Sequence, residues 1–343
     1  MNIERILIIG SGSIGSRHLD ICRNMFANAE IKLMHHAQSK AFENIYNSSL
    51  KSMSEAIDFK PNLTIVANPA TFHVESAQAL AENGSHLLIE KPISINSNDV
   101  KKLIQTCQSK NLILQVGYNL RFSASLQKYK EIISSGQIGE VYEIHCRAGQ
   151  YLPDWRPDTD YRRGVSAQKD LGGGALLELS HEIDYLRWIF GEIRWVSGKL
   201  SKESDLEIDV EDTAHFKLGF KETLKSQQLV ADVRLDFIQK IPVRKCTASG
   251  INANLEWNGL TGEVTIIDKT LNSREQVFID KMGLSKTYEY EWKGLVEAIN
   301  TGGKPLVTGV DGLRVIEIIE AIRKASSKGG KVDVVYDHSV IDK

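Results

Sequence analysis

Through the first 120 residues, short runs of uniformly apolar residues alternate with longer stretches whose apolar positions recur every three to four residues. Ile6-Leu7-Ile8-Ile9 is apolar at every position, the mark of a strand buried on both faces. Ile31-Lys32-Leu33-Met34, Leu63-Thr64-Ile65-Val66-Ala67, His86-Leu87-Leu88-Ile89 and Leu112-Ile113-Leu114-Gln115-Val116 read as further strands. Helical spacing is clearest over 71–83, which Asn83-Gly84 closes, and over 98–109. Strands separated by helices predict βαβ units and a parallel sheet.

After Asn119 the rhythm changes. The pattern predicts a helix over 123–135, stopped by Gly136, and a strand over 141–147. An irregular segment rich in Pro, Asp and Arg then runs to Asp170, and Gly172-Gly173-Gly174 opens one amphipathic helix to about Phe190. Short alternating segments separated by turn pairs such as Asn258-Gly259 fill 193–279 and predict an antiparallel meander. Helices over 286–300 and 309–328 close the chain. The expected class is α/β, with a parallel-sheet domain over 1–120 and a second α/β domain on a largely antiparallel sheet over 121–343.

Composition narrows the function classes. Of 343 residues, 42% are hydrophobic and 25% charged, a globular profile, and the net charge of −2 gives no footprint for nucleic acid or an anionic membrane. Four cysteines, Cys22, Cys107, Cys146 and Cys246, lie far apart, without the close pairs of a zinc or redox motif. Scattered thiols and no run long and apolar enough to span a bilayer suggest a cytoplasmic protein. No metal-ligand spacing is present, so metal-independent chemistry is expected.

Gly10-Ser11-Gly12-Ser13-Ile14-Gly15 stands directly after the first strand and before a helical stretch. In such a turn the first glycine permits the bend, the second lets backbone approach a pyrophosphate, and the third lets helix pack on strand. The helix N-terminus then offers N–H groups and partial positive charge to the phosphates. That context points to NAD or NADP. Acid at the end of the second strand favours NAD, but Met34-His35-His36-Ala37-Gln38-Ser39-Lys40 has none, which tilts the expectation slightly to NADP. His35 is therefore a candidate cofactor contact, or simply an exposed strand end. Asn68-Pro69, at the end of the third strand, and His73 beyond it either line the cofactor crevice or start the next helix.

Glu90-Lys91-Pro92 ends the His86-Leu87-Leu88-Ile89 strand. With the glycine turn, with Gly117-Tyr118-Asn119-Leu120-Arg121-Phe122, and with the run from Gly172 through His181 to Asp184, it resembles the glucose–fructose oxidoreductase, inositol dehydrogenase and rhizopine-catabolism (Gfo/Idh/MocA) family. The resemblance implies a Rossmann domain followed by an α/β domain, a homodimer or homotetramer, and a sugar-like substrate. It also implies that Lys91, with Glu90 beside the cofactor, meets the nicotinamide and the substrate hydroxyl, and that His181 is the general acid/base. Histidine, with a reference pKa of about 6.5, can take a hydroxyl proton at neutral pH, and a lysine can stabilise developing alkoxide.

Asp184 either orients His181, contacts substrate or forms an ion pair on the helix. Relatives place an aspartate four residues before the histidine. Here that position is Leu177, and Glu178, three residues before, either substitutes or points elsewhere. Asn119 and Arg121 either face the substrate or pin the link between domains. Arg162 and Arg163, in the loop before the glycine run, either clamp an anionic substrate group or sit in a solvated loop. The leading reading is an oxidoreductase of a secondary alcohol or carbonyl on a sugar, cyclitol or nucleotide-sugar-like compound, in surface-polysaccharide or unusual-sugar metabolism. The alternatives are a non-catalytic NAD(P)-binding sensor and a reductase of C=N or C=C bonds.

Overall fold

The computed structural model describes residues 3–35, 46–221, 229–268 and 273–340. The chain divides into two compact units: Met1–Tyr118 with Tyr288–Ile316 and Asp337–Lys343, and Asn119–Thr287 with Glu317–Tyr336.

The first unit opens with β1 (Arg5–Ile9), α1 (Ser13–Met25), β2 (Glu30–Met34), β3 (Ser48–Leu50), α2 (Met53–Phe59) and β4 (Leu63–Val66). It continues with α3 (His73–Glu82), β5 (His86–Ile89), α4 (Val100–Ser109) and β6 (Leu114–Val116). The six strands pair in the order β3-β2-β1-β4-β5-β6, all parallel. The order reverses beside β1, and the carboxyl ends of strands at such a switch form the ligand crevice of open α/β sheets. Ile6, Ile8, Ile31, Leu33, Leu63 and Ile65 form the core expected of strands covered on both faces.

The second unit holds α5 (Ala124–Ser135), β7 (Val141–Gly149), α6 (Ala175–Glu178), α7 (His181–Phe190), β8 (Ile193–Ser201) and β9 (Thr213–Phe220). It goes on through β10 (Val230–Asp236), β11 (Val243–Gly250), β12 (Asn254–Asn258), β13 (Glu263–Asp268) and β14 (Ser273–Ile279). The unit boundary falls inside the two long helices that follow, α8 (Ser285–Thr301) and α9 (Gly309–Lys328), and β15 (Lys331–Asp333) completes the sheet. Its nine strands run β14-β13-β12-β11-β7-β10-β9-β8-β15.

Three expectations change. The meander is interrupted, because β7 enters between β10 and β11 and pairs with β10 in parallel. The single helix expected after the glycine run is two, α6 and α7, separated at Leu179 and Ser180. Residues after 120 do not all fold together: Trp292, Leu295 and Ile299 of α8 pack into the core of the first unit.

Candidate active site

At the end of β1 the chain turns through Gly10, whose φ of 103° is ordinary only for glycine. A β-carbon there would lie 2.5 Å from the Ala67 carbonyl oxygen, and one on Gly15 would collide with the Gly10 carbonyl. Gly12 differs, since a β-carbon would meet no protein atom within 4 Å. Gly12 is also the N-cap of α1, with no side-chain cap and no acid in the first turn formed by Ser13, Ile14 and Gly15. The helix end, beside Ser11 and Gly12, thus has the open approach and dipole that an anionic pyrophosphate needs.

The loop after β4 adjoins this turn, with the Asn68 backbone against Gly10. Asn68 donates from Nδ2 to Ser76 Oγ at 3.2 Å, while its buried Oδ1 and the buried Thr71 Oγ1 have no partner among the described residues. Pro69 caps a short turn, Ala70–Phe72, so this pair also starts the helical segment. His35 directly follows β2, and the expectation drawn from His36 to Lys40 falls outside the described residues.

His73 is placed differently from a side chain facing a cofactor. It is buried, with Nδ1 2.9 Å from the Pro92 carbonyl oxygen and Nε2 2.7 Å from that of Asn68. Burial lowers its pKa, against the two carbonyls and Glu90, which favour the charged ring. Its place is that of a strut between the loops after β4 and β5.

Lys91 follows β5 in sequence, directly after a carboxylate that the fold uses internally. Glu90 Oε1 lies 2.8 Å from His18 Nε2, and Oε2 accepts the Lys91 backbone N–H at 3.1 Å. His18 Nδ1 in turn accepts the Trp292 indole N–H at 2.9 Å. Burial would raise the Glu90 carboxyl, but the His18 hydrogen bond and the Lys91 charge hold it below the usual range. Gly117 makes room, since a β-carbon there would sit 3.1 Å from Glu90 Oε2. Nothing in the sequence pattern singled out His18 or Trp292.

In the second unit the candidates separate sharply. Arg121 donates from Nε and Nη2 to the two carboxylate oxygens of Asp184, at 2.9 and 2.7 Å, and both side chains are buried. Two parallel bonds satisfy the carboxylate, so Asp184 serves Arg121, and Arg121 is a buried clamp instead of a substrate-facing cation. Asn119 donates to Thr287 Oγ1 at 2.7 Å, also in the interior. Glu178 ends α6 and His181 begins α7, so the expected shared helix face between them does not exist.

Gly174, with φ 106°, begins this turn against Glu211, whose carboxylate accepts the Leu176 N–H at 3.1 Å. Glu182, next to His181, is buried and accepts from Arg244 at 2.8 Å. Arg162 is also paired. Its guanidinium, on the surface, bonds Asp160 at 2.8 and 3.0 Å and Glu207 at 2.7 Å. Arg163 remains solvent-exposed, 3.8 Å from Asp160. Among the described residues no group of three or more His, Cys, Asp or Glu is placed to hold a metal ion, and no helix is long and apolar enough to cross a membrane.

Sequence models of one family match in order. The model described as "Oxidoreductase family, NAD-binding Rossmann fold" covers residues 4–118, and the "GFO/IDH/MocA C-terminal domain" covers 126–233. The chain belongs to the GFO/IDH/MocA oxidoreductase family. YrbE, an uncharacterised oxidoreductase of Bacillus subtilis, is 26% identical over 97% of this chain and 97% of its own. Myo-inositol 2-dehydrogenase of Thermotoga maritima is 25% identical over 94% and 96%. Levoglucosan dehydrogenase in complex with NADH superposes with a TM-score of 0.84 at 21% identity, covering 97% of this chain and all (100%) of that one. The WlbA dehydrogenase of Bordetella pertussis, bound to NADH and UDP-GlcNAcA, gives 0.81 at 19% identity, over 98% and 100%. These likenesses in structure establish the fold: a Rossmann unit and a second unit with a mostly antiparallel sheet.

Proposed function

We propose that this enzyme is a nicotinamide-dependent dehydrogenase that interconverts a secondary alcohol and a carbonyl on a sugar, cyclitol or nucleotide-linked sugar. One observation carries the reading. The glycine turn leaves open space at Gly12, at an uncapped helix N-terminus, in the same parallel sheet whose β5 leads into Lys91. Relatives that act on myo-inositol and levoglucosan support the substrate class. When bound, the nicotinamide supplies a carbon that accepts or returns hydride.

The chain's own residues do the rest. Ser11, Gly12 and the first turn of α1 bind the pyrophosphate. Asn68, just after β4, remains the candidate side-chain contact for the cofactor beside that turn. Lys91 donates a hydrogen bond to the substrate oxygen as it gains negative charge. His181 takes the hydroxyl proton in oxidation and returns it in reduction. Arg163 remains the candidate contact for an anionic substrate group.

NADH in the levoglucosan dehydrogenase and WlbA complexes supports NAD as cofactor, whereas the acid-free end of β2 supports NADP. A homodimer or homotetramer in the cytoplasm belongs to the same proposal. The test is a fluorescence titration of the purified protein with NADH and NADPH, followed by a turnover screen over myo-inositol, levoglucosan and UDP-linked sugars. Binding of neither cofactor would overturn the proposal. Cofactor binding with a His181→Ala variant as active as wild type would move the enzyme towards C=N or C=C reduction.

A further inference from the structure

The Trp292–His18–Glu90 chain has no role in the reading above, yet it ends on the main chain of Lys91. Its members come from α8, α1 and the end of β5, all within the first unit, and all are buried. Elementary donor chemistry fixes how it works. An indole N–H can only donate, so His18 Nδ1, 2.9 Å away, must be an acceptor without a proton. The imidazole is therefore neutral with its proton on Nε2, and that N–H points at Glu90 Oε1, 2.8 Å away. Glu90 receives this bond on one oxygen and the Lys91 N–H on the other.

We propose that His18 and Trp292 are positioning residues for Lys91: the indole selects one imidazole tautomer, which fixes Glu90 as a correctly oriented anion against the lysine. The proposal deepens the functional reading and rests on it for the importance of Lys91. The geometry argues for a dedicated device. Burying a carboxylate and an imidazole is costly unless each atom is matched, and here three donors and three acceptors from three elements match in series. Other charged and titratable groups also face the chain. Tyr288 stacks its ring edgewise on His18 at 5.9 Å, with the Arg17 guanidinium 4.6 Å over that ring. Glu291 is fully buried on α8, where burial and then the Glu90 charge raise its pKa well above the usual range. The two shifts run in opposite directions, favouring the neutral acid at Glu291 and the anion at Glu90. His73, held by the Asn68 and Pro92 carbonyls, is near enough to feel the Glu90 charge.

The experiment uses the full chain and two readouts that need no substrate. Nitrogen NMR of the His18 ring should show a single tautomer with the proton on Nε2 in the wild type, and a mixture in Trp292→Phe. A proton on Nδ1 in the wild type would overturn the proposal without any variant. The second readout is the acetylation rate of Lys91 at fixed pH, followed by mass spectrometry relative to the other lysines. Removing the carboxylate charge raises the free-amine fraction of Lys91, and taking the donor from buried Glu90 drives it towards its neutral acid, so Glu90→Gln and His18→Leu should each speed Lys91 acetylation by about threefold or more. The double variant should be no faster than Glu90→Gln alone, and His18→Gln, which keeps a donor, should restore the slow rate. An unchanged Lys91 rate in folded His18→Leu would refute the chain. Failure of the wild type to bind NADH is a separate result: it removes the dinucleotide reading and leaves these two measurements intact.

Discussion

Two glycines three residues apart in the same turn should respond to alanine in opposite ways. A methyl group on Gly12 meets no protein atom within 4 Å, and its backbone (φ −69°, ψ −178°) suits any residue. Alanine there restricts the unfolded chain, worth about 0.4–1 kcal/mol of stability, and loses a similar amount as a poorer N-cap. The two nearly cancel, so Gly12→Ala should melt within about 4 °C of wild type. On Gly15 the methyl collides with the Gly10 carbonyl oxygen, which belongs to backbone and cannot swing aside. The helix must retreat from the turn, and overpacking of this kind costs about 1–3 kcal/mol. Cofactor binding should discriminate again. The space open at Gly12 is where pyrophosphate oxygens approach, so Gly12→Ala should weaken NADH by at least about tenfold, about 1.4 kcal/mol, while remaining folded. Urea unfolding and NADH fluorescence titration of both variants test this. Wild-type NADH affinity in Gly12→Ala would show that the pyrophosphate does not pass this turn, and unfolding of Gly12→Ala would refute the open-space argument itself.

Arg121→Ala should destabilise the enzyme by about 3–5 kcal/mol in urea, because it strands the Asp184 carboxylate in the interior; an Arg121→Met, Asp184→Leu pair should recover most of the loss. Glu291→Gln tests the buried acid: burial raises the folded carboxyl above its value of 4.5 in the open chain, so the wild type is fully stable below that pH and loses stability as pH rises through the folded pKa. The amide never ionises, so thermal melts should coincide at about pH 4.5 and favour Glu291→Gln increasingly towards pH 8; a constant difference would refute the assignment. Gly174→Ala combines a φ of 106° with a methyl 2.5 Å from Glu211 Oε1, and circular dichroism melts should show a lower midpoint than for Gly12→Ala.

How much the sequence reveals depends on how local the cause is. The β1 strand, the glycine turn and α1 are set by neighbouring residues: four consecutive apolar positions, a turn that demands glycine, and a helical stretch that follows it. They stand where the pattern placed them. β3 was invisible because Ser48-Ser49-Leu50 is a three-residue edge strand, held by pairing with Lys32, Leu33 and Met34 instead of by its own hydrophobicity. The break between α6 and α7 was hidden because apolar spacing runs on through Leu176, Leu177, Leu179 and Ile183. Neither the insertion of β7 between β10 and β11 nor the return of α8 to the first unit leaves any periodic trace, since both are choices of tertiary partner.

The same distinction sorts the reactive-looking side chains. Residue type and position in a motif nominated Arg121, Asp184, Arg162 and His73, and each nomination was reasonable by chemistry alone. Spacing does not reveal the distant partners: Asp184 for Arg121, 63 positions away, Glu207 for Arg162, 45 away, which joins the neighbouring Asp160, and two backbone carbonyls for His73. A buried charge must find a counter-charge or stay out of the core, and the Arg121–Asp184 pair meets that demand within the scaffold. The converse holds for Trp292 and His18, 274 positions apart and unremarked in sequence. Their value lies wholly in the contact that folding creates, with donor matched to acceptor up to the main chain of Lys91. An indole without its imidazole would be one more core aromatic, and an imidazole without its indole would lose the constraint on which nitrogen carries the proton. Substitutions at either position should therefore register at Lys91, and not only as a loss of packing.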